Sequence, residues 1–157
     1  MRLHISVNRF SVLIVFCTVL GGLLSAPLMF AADSTNLRTL TPEELVNILK
    51  DKSAKPLLFQ VGSHTLYAQA HIPGSEYVGA GNTPEGLKRL SDRVSKVPKK
   101  TSIIIYCGCC PWNHCPNINP AYEALAKMGF TNVKVLYIAN NFGTDWVDKG
   151  YPFIKGE

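Results

Sequence analysis

The sequence predicts an α/β fold, a central and mainly parallel sheet with helices on both faces. Three observations lead there. Short apolar runs at residues 56–61, 101–106 and 133–138 are too continuous for a sheet with one wet face, and instead suit strands covered on both sides. The segments between them carry helical periodicity, clearest at residues 84–97. There Leu87, Leu90, Val94 and Val97 recur on one face, with Lys88, Arg89, Asp92, Arg93 and Lys96 opposite. The two kinds of segment alternate, and parallel neighbours joined by helical crossovers follow from alternation.

The elements follow in order. Arg2 and Arg9 precede an uncharged stretch from residue 10 to 32, the pattern of a secretory signal. The same stretch is long enough to span a bilayer, and Phe30 stands where cleavage after Ala32 wants a small residue. Residues 1–32 are therefore read as a signal peptide or an N-terminal membrane anchor, residues 33–40 as a polar linker and residues 41–157 as one domain. The expected location is periplasmic or secreted, with anchoring to the inner membrane through residues 10–32 as the variant. Cys17, inside the leader, is given no chemical role.

Thr41-Pro42-Glu43-Glu44 reads as a capping box with Pro at the first helical position, opening a helix to about Lys50. Gly62 closes the first apolar strand, residues 64–70 suit a short helix, and His71-Ile72-Pro73-Gly74-Ser75 is a turn before a small strand at Tyr77-Val78. After the strand at 101–106, Asn119-Pro120 reads as cap and first residue of a helix ended by Gly129. Thr144 is expected to cap a last short helix through Trp146, stopped by Gly150 and Pro152.

A chain of 157 residues with 46% hydrophobic and 17% charged residues can bury a genuine core, which excludes disordered and fibrous classes. Without the leader, 14 basic residues face 11 acidic ones, a mild excess. Lys96, Lys99 and Lys100 form the one dense basic patch, with no interleaved aromatics, so no nucleic-acid partner is expected.

Four of the five cysteines, Cys107, Cys109, Cys110 and Cys115, fall within nine residues. Ile103-Ile104-Ile105-Tyr106-Cys107 puts a thiol at the end of a strand, ahead of a loop and a helix start. Backbone N–H groups and the helix dipole favour an anion at such a place. Cys107 is accordingly the candidate nucleophile, and Gly108, Pro111, Trp112, Asn113, His114, Pro116 and Asn117 complete the candidate active-site loop. Cys109, Cys110 and Cys115 are candidate resolving thiols or halves of a structural disulfide, and the sequence does not choose among the pairings. Metal binding, favouring Cu(I) over zinc, is a third reading, although the spacing is too crowded for a standard tetrahedral zinc set. His114 is read as solvated, His71 as orienting its turn, Trp112 as a lid or contact residue and Trp146 as core. No phosphate-cradling loop and no Cys-x-x-Cys-His haem motif occurs, so no cofactor and no resident metal are assigned.

The chain resembles the rhodanese-like domains, the single-cysteine sulfurtransferases, over roughly residues 41–152. The resemblance is carried by Leu57-Leu58-Phe59-Gln60-Val61, by Ala70-His71-Ile72-Pro73-Gly74-Ser75, by the strand ending in Cys107 with Gly129-Phe130 closing the next helix, and by Trp146, Gly150 and Pro152. It implies that Cys107 takes sulfane sulfur from a small-molecule donor, holds it as a persulfide and passes it to a thiol or cyanide-like acceptor. Three departures stand out. The loop is longer than the family's, Asn117 stands at the position of the Arg that usually opens the next helix, and Gln60 and Gly62 replace a common Asp and Arg. Pro111 and Pro116 also remove two N–H donors from the loop. An exported sulfurtransferase is therefore the expectation. A thiol–disulfide redox protein using Cys107 with a loop cysteine, or a non-enzymatic Cu(I)-binding or docking module, are its rivals.

Overall fold

The computed structural model describes residues 37–156 apart from 52 and 54. The expected leader at residues 1–32, with Cys17, and most of the expected linker lie outside the described residues. Five strands, β1 (Thr39–Leu40), β2 (Leu57–Gln60), β3 (Ser75–Tyr77), β4 (Ile103–Tyr106) and β5 (Val133–Leu136), lie in the order β1-β5-β4-β2-β3. Every pairing is parallel. Four helices join them: α1 (Pro42–Lys50), α2 (His64–Gln69), α3 (Pro84–Val94) and α4 (Ile118–Lys127).

The alternation of side chains along the strands builds two cores. Phe59, Ile103, Ile105, Val133 and Val135 face α3 and α4, meeting Leu90, Val94, Ala121 and Leu125. Leu58, Ile104, Tyr106 and Leu136 face the other way, toward Leu45 of α1, Ile72, Phe142 and Trp146. Helices thus cover both faces, as the continuous apolar runs require. Among the described residues no helix is long and apolar enough to cross a membrane.

The capping box forms as read: Thr41 Oγ1 accepts from Glu44 N–H at 3.2 Å, and Glu44 Oε2 accepts from Thr41 N–H at 2.6 Å. These hydrogen bonds hold the Glu44 carboxyl below its ordinary value, chiefly through the Thr41 amide.

Four local readings shift. Thr39–Leu40, inside the segment read as linker, is an edge strand on β5, too short to show periodicity. The small strand is Ser75–Tyr77 rather than Tyr77-Val78, because register with β2 pairs Leu58 with Ser75. Helix α4 begins at Ile118, ahead of Pro120. A proline in the first helical turn lacks only an N–H that has no intrahelical partner, so it does not fix the start. Thr144 does not cap the last helix. It lies within a π-helical turn, Gly143–Val147, and its N–H donates to Asn141 Oδ1 at 2.9 Å, which makes Asn141 the capping side chain.

Candidate functional site

The site is built where β4 ends. Tyr106, the last strand residue, is anchored by its hydroxyl, which accepts from Ile72 N–H at 3.2 Å and bonds Ser75 Oγ at 2.8 Å. Burial raises the Tyr106 phenol well above its ordinary value. Cys107 follows at only 3% exposure, already part of the core beneath α3 and α4. Gly108 then turns the chain at φ +71°. A Cβ there would lie 2.7 Å from Phe142 Cβ, and the Gly108 carbonyl accepts from Phe142 N–H at 2.9 Å. The left-handed backbone and the close approach together demand glycine.

Beyond it, residues 109–117 fold back over Cys107. Trp112 N–H donates to Ala139 carbonyl at 2.9 Å, and the Trp112 ring packs 4.8 Å from Tyr137, so the loop is tied to the chain leaving β5. A 3-10 turn, Trp112–His114, lies between Pro111 and Pro116 and brings Cys115 back toward the start of α4.

The four described cysteines are free thiols and form one cluster. Cys107 and Cys109 Sγ are 3.0 Å apart, and Cys109 and Cys110 Sγ 3.4 Å. The Sγ atoms of Cys107, Cys109 and Cys115 all lie within 4.8 Å of one another. Cys110 sits at the edge, its thiol donating to His114 carbonyl at 3.5 Å. The His114 side chain is exposed, in keeping with the solvated reading. A soft monovalent ion would find three sulfur ligands in Cys107, Cys109 and Cys115.

Two amides organise the cluster. Asn117 is buried, and its Nδ2 donates to Cys107 Sγ at 3.3 Å and to Cys109 Sγ at 3.6 Å, while its Oδ1 accepts from Asn82 N–H at 3.2 Å. The residue at the family's Arg position thus still points a donor at the thiol, without the charge. Gln60, also buried, accepts from Gly62 N–H at 3.1 Å and donates to the Cys107 carbonyl at 3.4 Å. Its role was missed in the sequence, where its signal was a polar residue inside an otherwise apolar strand. Gly62 has no room for a side chain: a Cβ would lie 2.8 Å from Cys107 Sγ.

The electrostatics separate the thiols. The Cys107 thiol lies beside Cys115, their Sγ atoms within 4.8 Å of each other. This contact lowers Cys115 to about 6, helped by the N–H groups of Asn117 and Ile118 at the start of α4. The same contact, with burial, pushes Cys107 up. Burial, together with its contact to Cys109, pushes Cys110 up to about 12.

Two cavities adjoin it. A void of about 10 Å³ is lined by Cys107, Gly108, Cys110, Trp112 and Cys115, among others. A larger cavity of about 520 Å³ lies outside, between Leu37, Thr39, Trp112, Cys115, Asn119 and Tyr137. Of the remaining expected residues, Trp146 is fully buried, with its indole N–H donating to Pro152 carbonyl at 2.8 Å. His71 is buried against Tyr67, its Nδ1 2.8 Å from the Tyr67 carbonyl, and so orients its turn as read.

Solved structures share this architecture. The BH2092 protein from Bacillus halodurans is 21% identical, with 75% of this chain and 77% of that one covered at a TM-score of 0.58. The rhodanese-like domain of the Alr3790 protein from Anabaena is 18% identical, with 76% and 80% covered at 0.55. Protein hp1203 from Helicobacter pylori is 14% identical, with 75% and 89% covered at 0.51. These likenesses speak to the fold. No curated protein sequence matches the chain. The rhodanese-like domain family model matches residues 41–137, well over half of the chain, and takes in β2, β4, the cysteine loop and α4. With its parallel five-stranded sheet and a thiol at the end of β4, the chain belongs to the rhodanese-like domain family.

Proposed function

We propose that this chain is an exported sulfurtransferase that carries sulfane sulfur as a persulfide on Cys107. The observation that carries the reading is the void of about 10 Å³ beside Cys107, since a space of about one water is also room for one added sulfur atom. Two further features support it. Asn117 Nδ2 donates to Cys107 Sγ, which suits a persulfide anion as it suits a thiolate. Burial keeps such an adduct from water and stray thiols. The donor is a small molecule with sulfane sulfur and the acceptor a thiol or cyanide-like nucleophile. Export rests on the leader pattern at residues 1–32.

The test is the intact mass and peptide map of the full chain before and after a sulfane-sulfur donor. One added sulfur on Cys107, removable by cyanide, is the expected result, and Cys107→Ser should cut turnover to background. No added sulfur, with Cys107 in a disulfide to a loop neighbour, defeats the reading. That outcome would favour a thiol–disulfide redox protein, which the 3.0 Å approach of Cys109 Sγ to Cys107 Sγ supports.

A further inference from the structure

The thiol placed to carry sulfur is not the thiol placed to meet a donor. Cys107 is 3% exposed and lines the small inner void, which cannot hold a donor molecule. Cys115 is half-buried and lines both spaces, the inner void and the outer cavity of about 520 Å³. That volume lies in the ordinary range of small-molecule sites. No other described cysteine lines the outer cavity.

The walls say what the outer cavity suits. Trp112 and Tyr137 meet at 4.8 Å on one side, Leu37 and Ile118 add apolar surface, and Asn113 and Asn119 supply neutral polar groups. Among the described residues, none of the lining side chains is charged. A dianion such as thiosulfate would lose water there with no cation to replace it, facing a thiolate of the same sign. An organic persulfide puts an apolar group against the aromatic walls.

We propose that Cys115 receives the sulfane sulfur from an organic persulfide seated in the outer cavity against Trp112 and Tyr137, and that Cys107 takes it from Cys115 through the inner void. This rests on the reading that Cys107 carries the persulfide. In the first step the Cys115 thiolate attacks the outer sulfur of R–S–SH. A bond forms between Sγ and that sulfur, the donor S–S bond breaks, and RS⁻ leaves, the S–H proton staying on the transferred sulfur. In the second step Cys107 Sγ attacks the same outer sulfur and its bond to Cys115 breaks. The Cys107 proton passes to Cys115 Sγ, which lies within 4.8 Å. Cys115–S–SH and Cys107–SH thus become Cys115–SH and Cys107–S–SH. The sulfur keeps its oxidation level, so no oxidant or reductant is consumed.

Single-turnover loading of the full chain with benzyl persulfide, followed by mass, tests the relay. Wild type should load Cys107, and Cys115→Ser should load it about ten-fold more slowly or worse. Equal rates in the two chains would overturn the role of Cys115. A wild type that takes up no sulfur would instead defeat the persulfide reading itself, so the two failures are distinct. Limiting iodoacetamide on the native wild-type chain at neutral pH needs no variant: first labelling at Cys115 is expected, and first labelling at Cys107, Cys109 or Cys110 overturns the proposal. Thiosulfate loading faster than benzyl persulfide would overturn the substrate class.

Discussion

Asn117 shows how one residue can be legible in position and illegible in role. Counting back from Gly129-Phe130 puts it where the family has Arg, but only the fold reveals its Nδ2 on two thiols and its Oδ1 on the Asn82 amide. Asn117→Ala would remove that part-buried hydrogen bond from the Asn82 N–H and should cost about 0.5–1.5 kcal/mol in urea unfolding. Asn117→Asp should be worse for chemistry than for stability, because a carboxylate about 3 Å from Cys107 Sγ opposes every anionic state of the cluster. Loss of sulfur loading with most of the stability kept is the expected pattern. Cys107 was legible because a strand end is visible as a pattern. The contrast between Cys107 and Cys115 was not, since it depends on burial and on a contact between residues eight apart. It does set a pH dependence. The thiolate fraction of Cys115 grows as pH rises through about 6, so its alkylation rate should level off near neutrality. A free thiol would still be gaining up to about 8.5.

At the scale of elements, the strands with continuous apolar runs and the capped helix α1 were readable, because periodicity and the Thr41/Glu44 box act locally. The two-residue strand β1 was not, since a partner in β5 rather than its own sequence makes it a strand. The cysteine loop was the least readable element. Its path is fixed by distant contacts, Trp112 to Ala139 and Gly108 to Phe142. The turn after β2 is fitted to the site as closely as the loop is. Gly62→Ala would press a methyl group against Cys107 Sγ and Gln60 Nε2, both under 3 Å from the added carbon. The Cys107 side must give way, so sulfur loading should slow and thermal unfolding should move to lower temperature, by about 2–4 °C or more for each 1 kcal/mol of strain. Unchanged loading in this variant would mean that Cys107 Sγ moves freely in its pocket.

The whole molecule divides its work between the two faces of one sheet. Cys107 belongs to the α3/α4 core, whereas Leu45 and Trp146 lie in the other. Leu125→Ala and Leu45→Ala both empty fully buried positions and should each cost about 2–5 kcal/mol in denaturant unfolding. Only the former loosens the helix whose first turn donates to Cys115. In the fully folded range of denaturant it should alter Cys115 alkylation, while Leu45→Ala should not. The all-parallel sheet also bears on how the chain reaches this state. No strand pairs through a hairpin; each ladder waits for a crossover, and β4 must find β2 across more than forty residues. Until it does, four thiols lie close together along an open chain with nothing above them. The time for which they are open to chance oxidation is therefore a folding time, set by sheet topology rather than by thiol chemistry.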